Sequence, residues 1–210
     1  MPAAASNKAS DKASDKAEWR RRIRAARRAR GSEIRDQNAA LLTAAVLDLA
    51  HRTGDPICAY LPLGTEPWSP AGVDALRAAG HEVLLPVVAG PDRPLDWARY
   101  TGPDALTSGP FGLREPAGPR LGPKAIAAAR LVLLPALAVD RRGVRLGQGG
   151  GYYDRSLPLV GDEALLVVLL DDGELVDTLP IEPHDRVVDA VILPSHGLTL
   201  VNPHRQSEKS

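Results

Sequence analysis

Apolar residues along this chain follow two rhythms. Short runs that are apolar almost without a break fall at residues 56–63 (PICAYLPL), 82–88, 131–139, 164–170 and 190–193, and residues 95–100 carry a further strand-like pattern. Runs of that length without polar alternation predict strands buried on both faces. Between them the spacing turns helical. From Ser32, which has the chemistry of an N-cap, Ile34, Leu41, Leu42, Val46 and Leu49 recur on one face. Ser69-Pro70 opens another helix that carries Val73 and Leu76 and stops at Gly80. Residues 16–30 are good helix formers that end at Gly31, and a last helix is predicted after Gly151. Buried strands alternating with helices predict an α/β fold, a largely parallel sheet covered on both faces. Residues 90–123 are rich in proline and glycine, which predicts irregular structure flanking a site and marks no domain boundary. The first fifteen residues repeat Lys-Ala-Ser-Asp at Lys8 and Lys12 without an apolar period. The expected organisation is therefore a disordered tail over 1–15, one domain over 16–195 and a C-terminal tail over 196–210.

Composition narrows the function classes. With 210 residues, 44% of them hydrophobic, the chain is long enough for one well-buried core. Its 26 basic and 26 acidic residues cancel, which removes any bulk electrostatic case for nucleic acid or a membrane surface. The longest apolar run, 131–139, is interrupted by Pro135 and falls far short of a membrane span, and the opening residues lack the apolar core of a secretory signal. A cytoplasmic location is expected. Cys58 is the only cysteine; it excludes an internal disulfide and reads as a small hydrophobe in a strand. Charge is nonetheless concentrated locally, at Lys16, Arg20, Arg21, Arg22, Arg24, Arg27, Arg28 and Arg30. Such a face is usually solvated, and its sharper alternatives are a nucleotide or RNA. RNA is the weaker of the two, because Trp19 is the only aromatic among these residues.

The densest chemistry lies at residues 131–157, LVLLPALAVDRRGVRLGQGGGYYDRSL, where an apolar strand passes through a turn and a glycine-rich loop into a helix. Gly147, Gly149, Gly150 and Gly151 let backbone N–H groups approach and face an anion, and a helix N-terminus beyond them adds its positive dipole end. Asp154 falls in the first helical turn, where its oxygens suit a magnesium ion shared with phosphates. Generic nucleotide motifs fit badly. A Walker loop ends in Gly-Lys-Ser/Thr, and a dinucleotide fingerprint needs glycine where Tyr152 stands.

The segment DRRGVRLGQGGGYYDRSL instead resembles the signature of the 5-formyltetrahydrofolate cyclo-ligases, through Asp140, Gly143, Arg145, Leu146, Gly147, Gly149, Gly151, Tyr152, Tyr153 and Asp154. Residues 111–116 (FGLREP) and 179–189 (LPIEPHDRVVD) resemble two further family segments. Lys16 and Arg20 match the basic pair that opens the family's first helix, with Trp19 replacing a leucine. The resemblance covers about residues 16–193. It implies a three-layer α/β/α sandwich and an ATP- and magnesium-dependent enzyme that cyclises 5-formyltetrahydrofolate to the 5,10-methenyl form, releasing ADP and phosphate. By the same resemblance Arg145 and Tyr152 are catalytic, and Lys16, Ala17, Glu18, Trp19, Arg20, Arg145, Leu146, Gly147, Gln148, Gly149, Gly150, Gly151, Tyr152 and Tyr153 bind ATP. Leu61, Glu66, Gln148, Gly149, Gly150, Gly151 and Tyr152 contact the folate, and Asp154 and Asp189 hold magnesium. Asp185 would support the metal site and His184 reads as structural. The implied protein is a monomer without nucleic-acid or membrane partners. Some positions depart from the family. Gln148 and Gly150 stand where loop cations occur, Arg114 interrupts the 111–116 segment, and Asp171, Asp172 and Glu174 replace an expected phenylalanine and glutamine near the folate pocket. A catalytically silent folate- or nucleotide-binding relative is the alternative.

Overall fold

The computed structural model describes residues 3–182 and 186–201. In chain order the first half contains α1 (Ala3–Ala29), α2 (Ser32–Thr53), β1 (Ile57–Cys58), α3 (Pro70–Ala78), β2 (Val83–Val87), β3 (Asp96–Arg99), β4 (Leu106–Ser108) and β5 (Arg114–Pro116). The second half contains β6 (Leu131–Leu134), β7 (Ala138–Asp140), β8 (Arg145–Leu146), α4 (Tyr152–Ser156), β9 (Leu165–Leu169), β10 (Leu175–Val176), β11 (Ala190–Leu193) and β12 (Gly197–Leu200).

Seven strands form one sheet in the order β12-β11-β9-β6-β1-β2-β3. Every pairing from β11 to β2 is parallel, and the two edge strands are antiparallel. The strand Leu-Val-Leu-Leu of β6 shows how one run serves two faces: Leu131 and Leu133 point to one side, Val132 and Leu134 to the other. On the first side Leu42, Val46 and Leu49 of α2 and Val73 and Leu76 of α3 close the core. On the second side the cover is thinner, made of α4 and of short 3-10 turns at Pro123–Ala128 and Leu157–Leu159. The result is the expected α/β/α layering. Helix α1 lies on a separate apolar cluster, where Ile23 and Trp19 meet Leu137, Ala138, Val144, Leu146 and Leu179.

Several boundaries differ from the sequence expectation. The run 131–139 is two strands, because Pro135 lacks the N–H a central strand must donate. After it the chain leaves the large sheet, and β7 joins β8 and β10 in a small second one. Helix α1 begins at Ala3, inside the segment expected to be a disordered tail. Likewise β12 lies inside the expected C-terminal tail, where it pairs antiparallel with β11 and adds a strand to the sheet. The cap of α2 is Gly31, without a side-chain bond, so Ser32 is the first helical residue. Ser69 does cap α3, its hydroxyl accepting from the Gly72 N–H at 3.3 Å with Pro70 next in line. Of the α2 stripe, Ile34 and Leu41 are exposed; Ala39 and Ala50 join Leu42, Val46 and Leu49 on the buried face.

The strand order fixes where a ligand can sit. From β1 the chain moves to β2 on one side and later returns to β6 on the other, so the loops leaving the carboxyl ends of β1 and β6 diverge. A parallel sheet opens a crevice at such a switch point.

Candidate active site

That crevice holds a cavity of about 480 Å³. The loop after β1 contributes Tyr60, Leu61, Leu63 and Glu66, and the β2 end contributes Leu85 and Val88. The β4–β5 hairpin supplies Phe111, Leu113 and Glu115, while Arg145, the loop 147–151 and the head of α4 form the remaining wall. One side is thus apolar with two carboxylates, the other a glycine loop with a guanidinium.

The loop owes its position to the hairpin before it. Asp140 is fully buried and accepts from the N–H groups of Arg142, Val144 and Leu179 at 2.9–3.0 Å. Gly143 turns at φ 84°, and a Cβ there would meet the Val188 carbonyl oxygen at 2.5 Å. These two signature residues build the turn that sends β8 back to the cavity. In the loop itself Gly149 and Gly151 have φ of 105° and 69°, in the left-handed region that side chains resist. At five residues α4 is too short to supply a large dipole. The positive charge comes from α1 instead. The Arg20 Nε donates to the Gly147 carbonyl at 3.0 Å, and Arg24 donates to the Gln148 carbonyl at 3.1 Å and to its side-chain oxygen at 2.8 Å. Arg24 therefore brings a cation to the place where the loop has lost one to Gln148. Sequence reasoning did not single it out, although its four-residue spacing from Arg20 puts both on one helix face.

Arg145, only 6% exposed, is turned toward Asp154, whose Oδ1 accepts from its Nη2 at 2.5 Å. Its Nε is buried without a partner, and its guanidinium lies 5.9 Å from the centre of the Tyr153 ring. Tyr152 faces Phe111, with ring centres 6.4 Å apart, and Arg155 covers it from 5.2 Å. Glu66 is held by the Leu63 N–H at 2.9 Å and by the Gln148 amide at 3.4 Å. Burial pushes its carboxyl above the ordinary range; the Leu63 N–H, Arg27 and Gln148 oppose that shift. Glu115 accepts from the Val88 N–H at 2.8 Å. The tyrosine beside Leu61, Tyr60, was also passed over, because within a buried run it reads as core.

Other expected site residues lie elsewhere. Lys16 pairs with Glu182 at 3.2 Å, Glu18 with Arg21 at 3.5 Å, and Trp19 packs under α1; neither they nor Ala17 line the cavity. Leu146 is buried behind the loop in the α1 cluster. Asp189 stands at the amino end of β11, and its carboxylate accepts from the Leu166 N–H at 2.8 Å at the start of β9. It is thus not brought to Asp154, and among the described residues no three acidic, histidine or cysteine side chains gather to hold a metal. His184 and Asp185 lie outside the described residues.

Asp171, expected to alter the folate pocket, and Glu174 beside it do not line the cavity. Arg27, 1% exposed, clasps Glu174 in two parallel bonds of 2.8 and 2.7 Å and donates to the Ala136 carbonyl. Arg30 and Asn38 both hold Asp171. Burial works against the Arg27 charge, but the Glu174 carboxylate outweighs it and holds the guanidinium above its ordinary value. Two arginines of the basic helix are therefore neither solvated nor ligand-binding; they fasten α1 to the turn after β9.

A switch-point crevice with an apolar, carboxylate-bearing wall facing a glycine loop ringed by arginines defines an α/β enzyme built for an anion beside a planar organic substrate. Comparison with known proteins narrows the class. The model of the 5-formyltetrahydrofolate cyclo-ligase family matches residues 12–194, and this chain belongs to that family. It is 45% identical over 150 residues to a 5-formyltetrahydrofolate cyclo-ligase of Mycolicibacterium smegmatis, covering 70% of this chain and 77% of the relative. The Escherichia coli cyclo-ligase is 31% identical over 128 residues, 59% and 69% of the two chains. Among solved structures, the 5,10-methenyltetrahydrofolate synthetase of Aquifex aeolicus superposes with a TM-score of 0.70 at 25% identity, covering 89% of this chain and 92% of that one. The synthetase of Mycoplasma pneumoniae, at 19% identity and a TM-score of 0.66, shares the fold.

Proposed function

We propose that this protein cyclises 5-formyltetrahydrofolate to 5,10-methenyltetrahydrofolate at the expense of ATP, which leaves as ADP and phosphate. The observation that carries this reading is the juxtaposition, in one cavity, of an apolar wall with Glu66 and an arginine-ringed glycine loop. The formyl oxygen is a poor leaving group until it is phosphorylated. In the proposed sequence it attacks the γ-phosphorus, the bond to ADP breaks, nitrogen 10 closes on the activated formyl carbon, and phosphate departs with the original oxygen and takes up the nitrogen-10 proton. The nucleophile is an uncharged carbonyl oxygen, so no general base is needed for the first step. What the chain must do is align and neutralise. Arg145, Arg20, Arg24 and the loop N–H groups would hold the phosphates, and Tyr152 would keep the formyl group facing them. Magnesium commonly takes one or two carboxylates plus substrate phosphates, a donor set that Asp154 with ATP can complete without Asp189. Bound there, the ion would supply charge neutralisation on the transferring phosphoryl group.

The test is turnover. Purified protein given 5-formyltetrahydrofolate, ATP and magnesium should generate the near-ultraviolet absorbance of the methenyl product together with one ADP per turnover. Tight binding of both ligands without product would identify a catalytically silent relative.

A further inference from the structure

Two hydroxyl groups lie buried at the cavity with no hydrogen-bond partner among the described residues. Tyr60 directly follows the alanine after β1 and is 3% exposed; Tyr153 is the second residue of α4. Both residues line the cavity, and neither phenolic oxygen has a hydrogen-bond partner among the described residues. A buried hydroxyl without a partner is costly, and natural chains retain one mainly where a ligand or water completes it. Tyr60 belongs to the segment after β1 and Tyr153 to α4, so both elements that border the switch point contribute a hydroxyl to the lining. Glu66 is within electrostatic reach of both, yet its oxygens bond to Leu63 and Gln148 and leave the hydroxyls unspent. Burial, the largest influence, and Glu66 both keep these phenols protonated, so each presents an O–H as well as an acceptor oxygen.

We propose that Tyr60 determines substrate specificity: its hydroxyl, together with that of Tyr153, hydrogen-bonds the amide-like edge of the planar heterocycle of the reduced folate, next to the Glu66 carboxylate. Two hydroxyls that donate or accept, beside a carboxylate that accepts, complement an edge where ring N–H, amino and carbonyl groups alternate. The neighbouring side chains Leu61, Leu85, Val88 and Leu95 are apolar and suit the faces of the ring, not its edge. The assignment rests on the proposed folate activity.

Tyr60→Phe removes one oxygen and keeps the ring. Because the oxygen bonds nothing among the described residues, the melting temperature should stay at or above that of the wild type. Calorimetric titration with 5-formyltetrahydrofolate should show about 10-fold weaker binding, the equivalent of about 1.4 kcal/mol, while ATP affinity is unchanged. In turnover the loss should appear in the folate KM with kcat nearly intact, and Tyr153→Phe should weaken folate binding in the same direction. Wild-type folate affinity in Tyr60→Phe would overturn the assignment, as would a fall in melting temperature, which would give the hydroxyl a structural role. A wild-type protein that fails to bind 5-formyltetrahydrofolate at all would instead remove the activity on which the assignment stands, and the assignment with it.

Discussion

At the proposed metal site Arg145 and magnesium would compete for one carboxylate, that of Asp154. In the structure the guanidinium has it, and binding of a metal–nucleotide complex would free Arg145 to turn toward phosphate oxygens. Asp154 is 41% exposed, but Arg145 is only 6% exposed, and losing its anion leaves the guanidinium charge uncompensated. Asp154→Asn, which keeps an oxygen able to accept from Arg145, should lower the melting temperature by about a few degrees and turnover by at least ~10-fold, about 1.4 kcal/mol of barrier. Wild-type rates at ordinary magnesium would remove Asp154 from the metal site. Glu66 makes a different prediction, on pH. Burial raises its folded-state pKa above the unfolded value, so the native protein binds the extra proton and stability falls as pH rises through the interval between the two. Glu66→Gln, which carries no charge, should be the more stable protein at neutral pH, and the difference should vanish in acid below the ordinary carboxylate range. Urea unfolding of both proteins at several pH values reads this directly; a gap that grows in acid would contradict it.

Helix α1 is held less by oil than by ion pairs. Among the described residues its apolar contact comes from Ile23 and Trp19, whereas Arg20, Arg24, Arg27 and Arg30 each grip a distant loop. The Arg27–Glu174 clasp is the buried one, and removing one partner of a buried pair strands the other charge, at about 3–5 kcal/mol. Arg27→Ala should lower the melting temperature by roughly 10 °C in a protein of this size. Replacing Arg27 and Glu174 together with apolar residues should restore much of the loss, and a thermal scan of the three variants separates pair from charge. This helix also shows what the sequence could and could not reveal. Strands β2, β3, β9 and β11 and helix α3 follow from local apolar runs and caps, and the glycine loop follows from its own residues. The partners of α1 do not. Asp171 and Glu174 look like losses from a pocket until the fold sets Arg27 and Arg30 against them, and nothing in local spacing distinguishes Lys16, which pairs with Glu182, from Arg20, which reaches the loop. The break at Pro135 was visible as a proline, but that the chain then starts a second sheet depends on β10, some forty residues on. Asp189 was misplaced for the same reason: a motif aspartate shows its residue type, not which end of a strand it occupies.

Across the whole molecule the site is assembled from segments far apart in the chain. The loop after β1 and the β4–β5 hairpin form the apolar wall, the loop 147–151 faces them, and α1 braces that loop and the turn after β9 from far away in sequence: Arg20 and Gly147 are separated by 127 positions, Arg27 and Glu174 by 147. No helix among the described residues is long and apolar enough to cross a membrane, and the basic face that might have met nucleic acid is largely engaged with the protein itself. Such long-range clasps also set an order in time. As the chain is synthesised, α1 is made before the sheet and has nothing to hold until residues 137–148 have emerged, and its clasps on Asp171 and Glu174 wait for the turn after β9, so strands β1, β2, β3 and β6 can pair while its arginines are still in water. Closing loops of that length is entropically expensive and comes late. Native-state hydrogen exchange should therefore find α1 opening as a unit at lower free energy than β6 and β9, with addition of ATP protecting its amides. Equal protection of α1 and the central strands would mean that helix and sheet form one cooperative block. If α1 opens at the lower free energy, a helix made before the sheet is the last part to fold, and the proposed nucleotide site is completed only when the rest of the architecture is already standing.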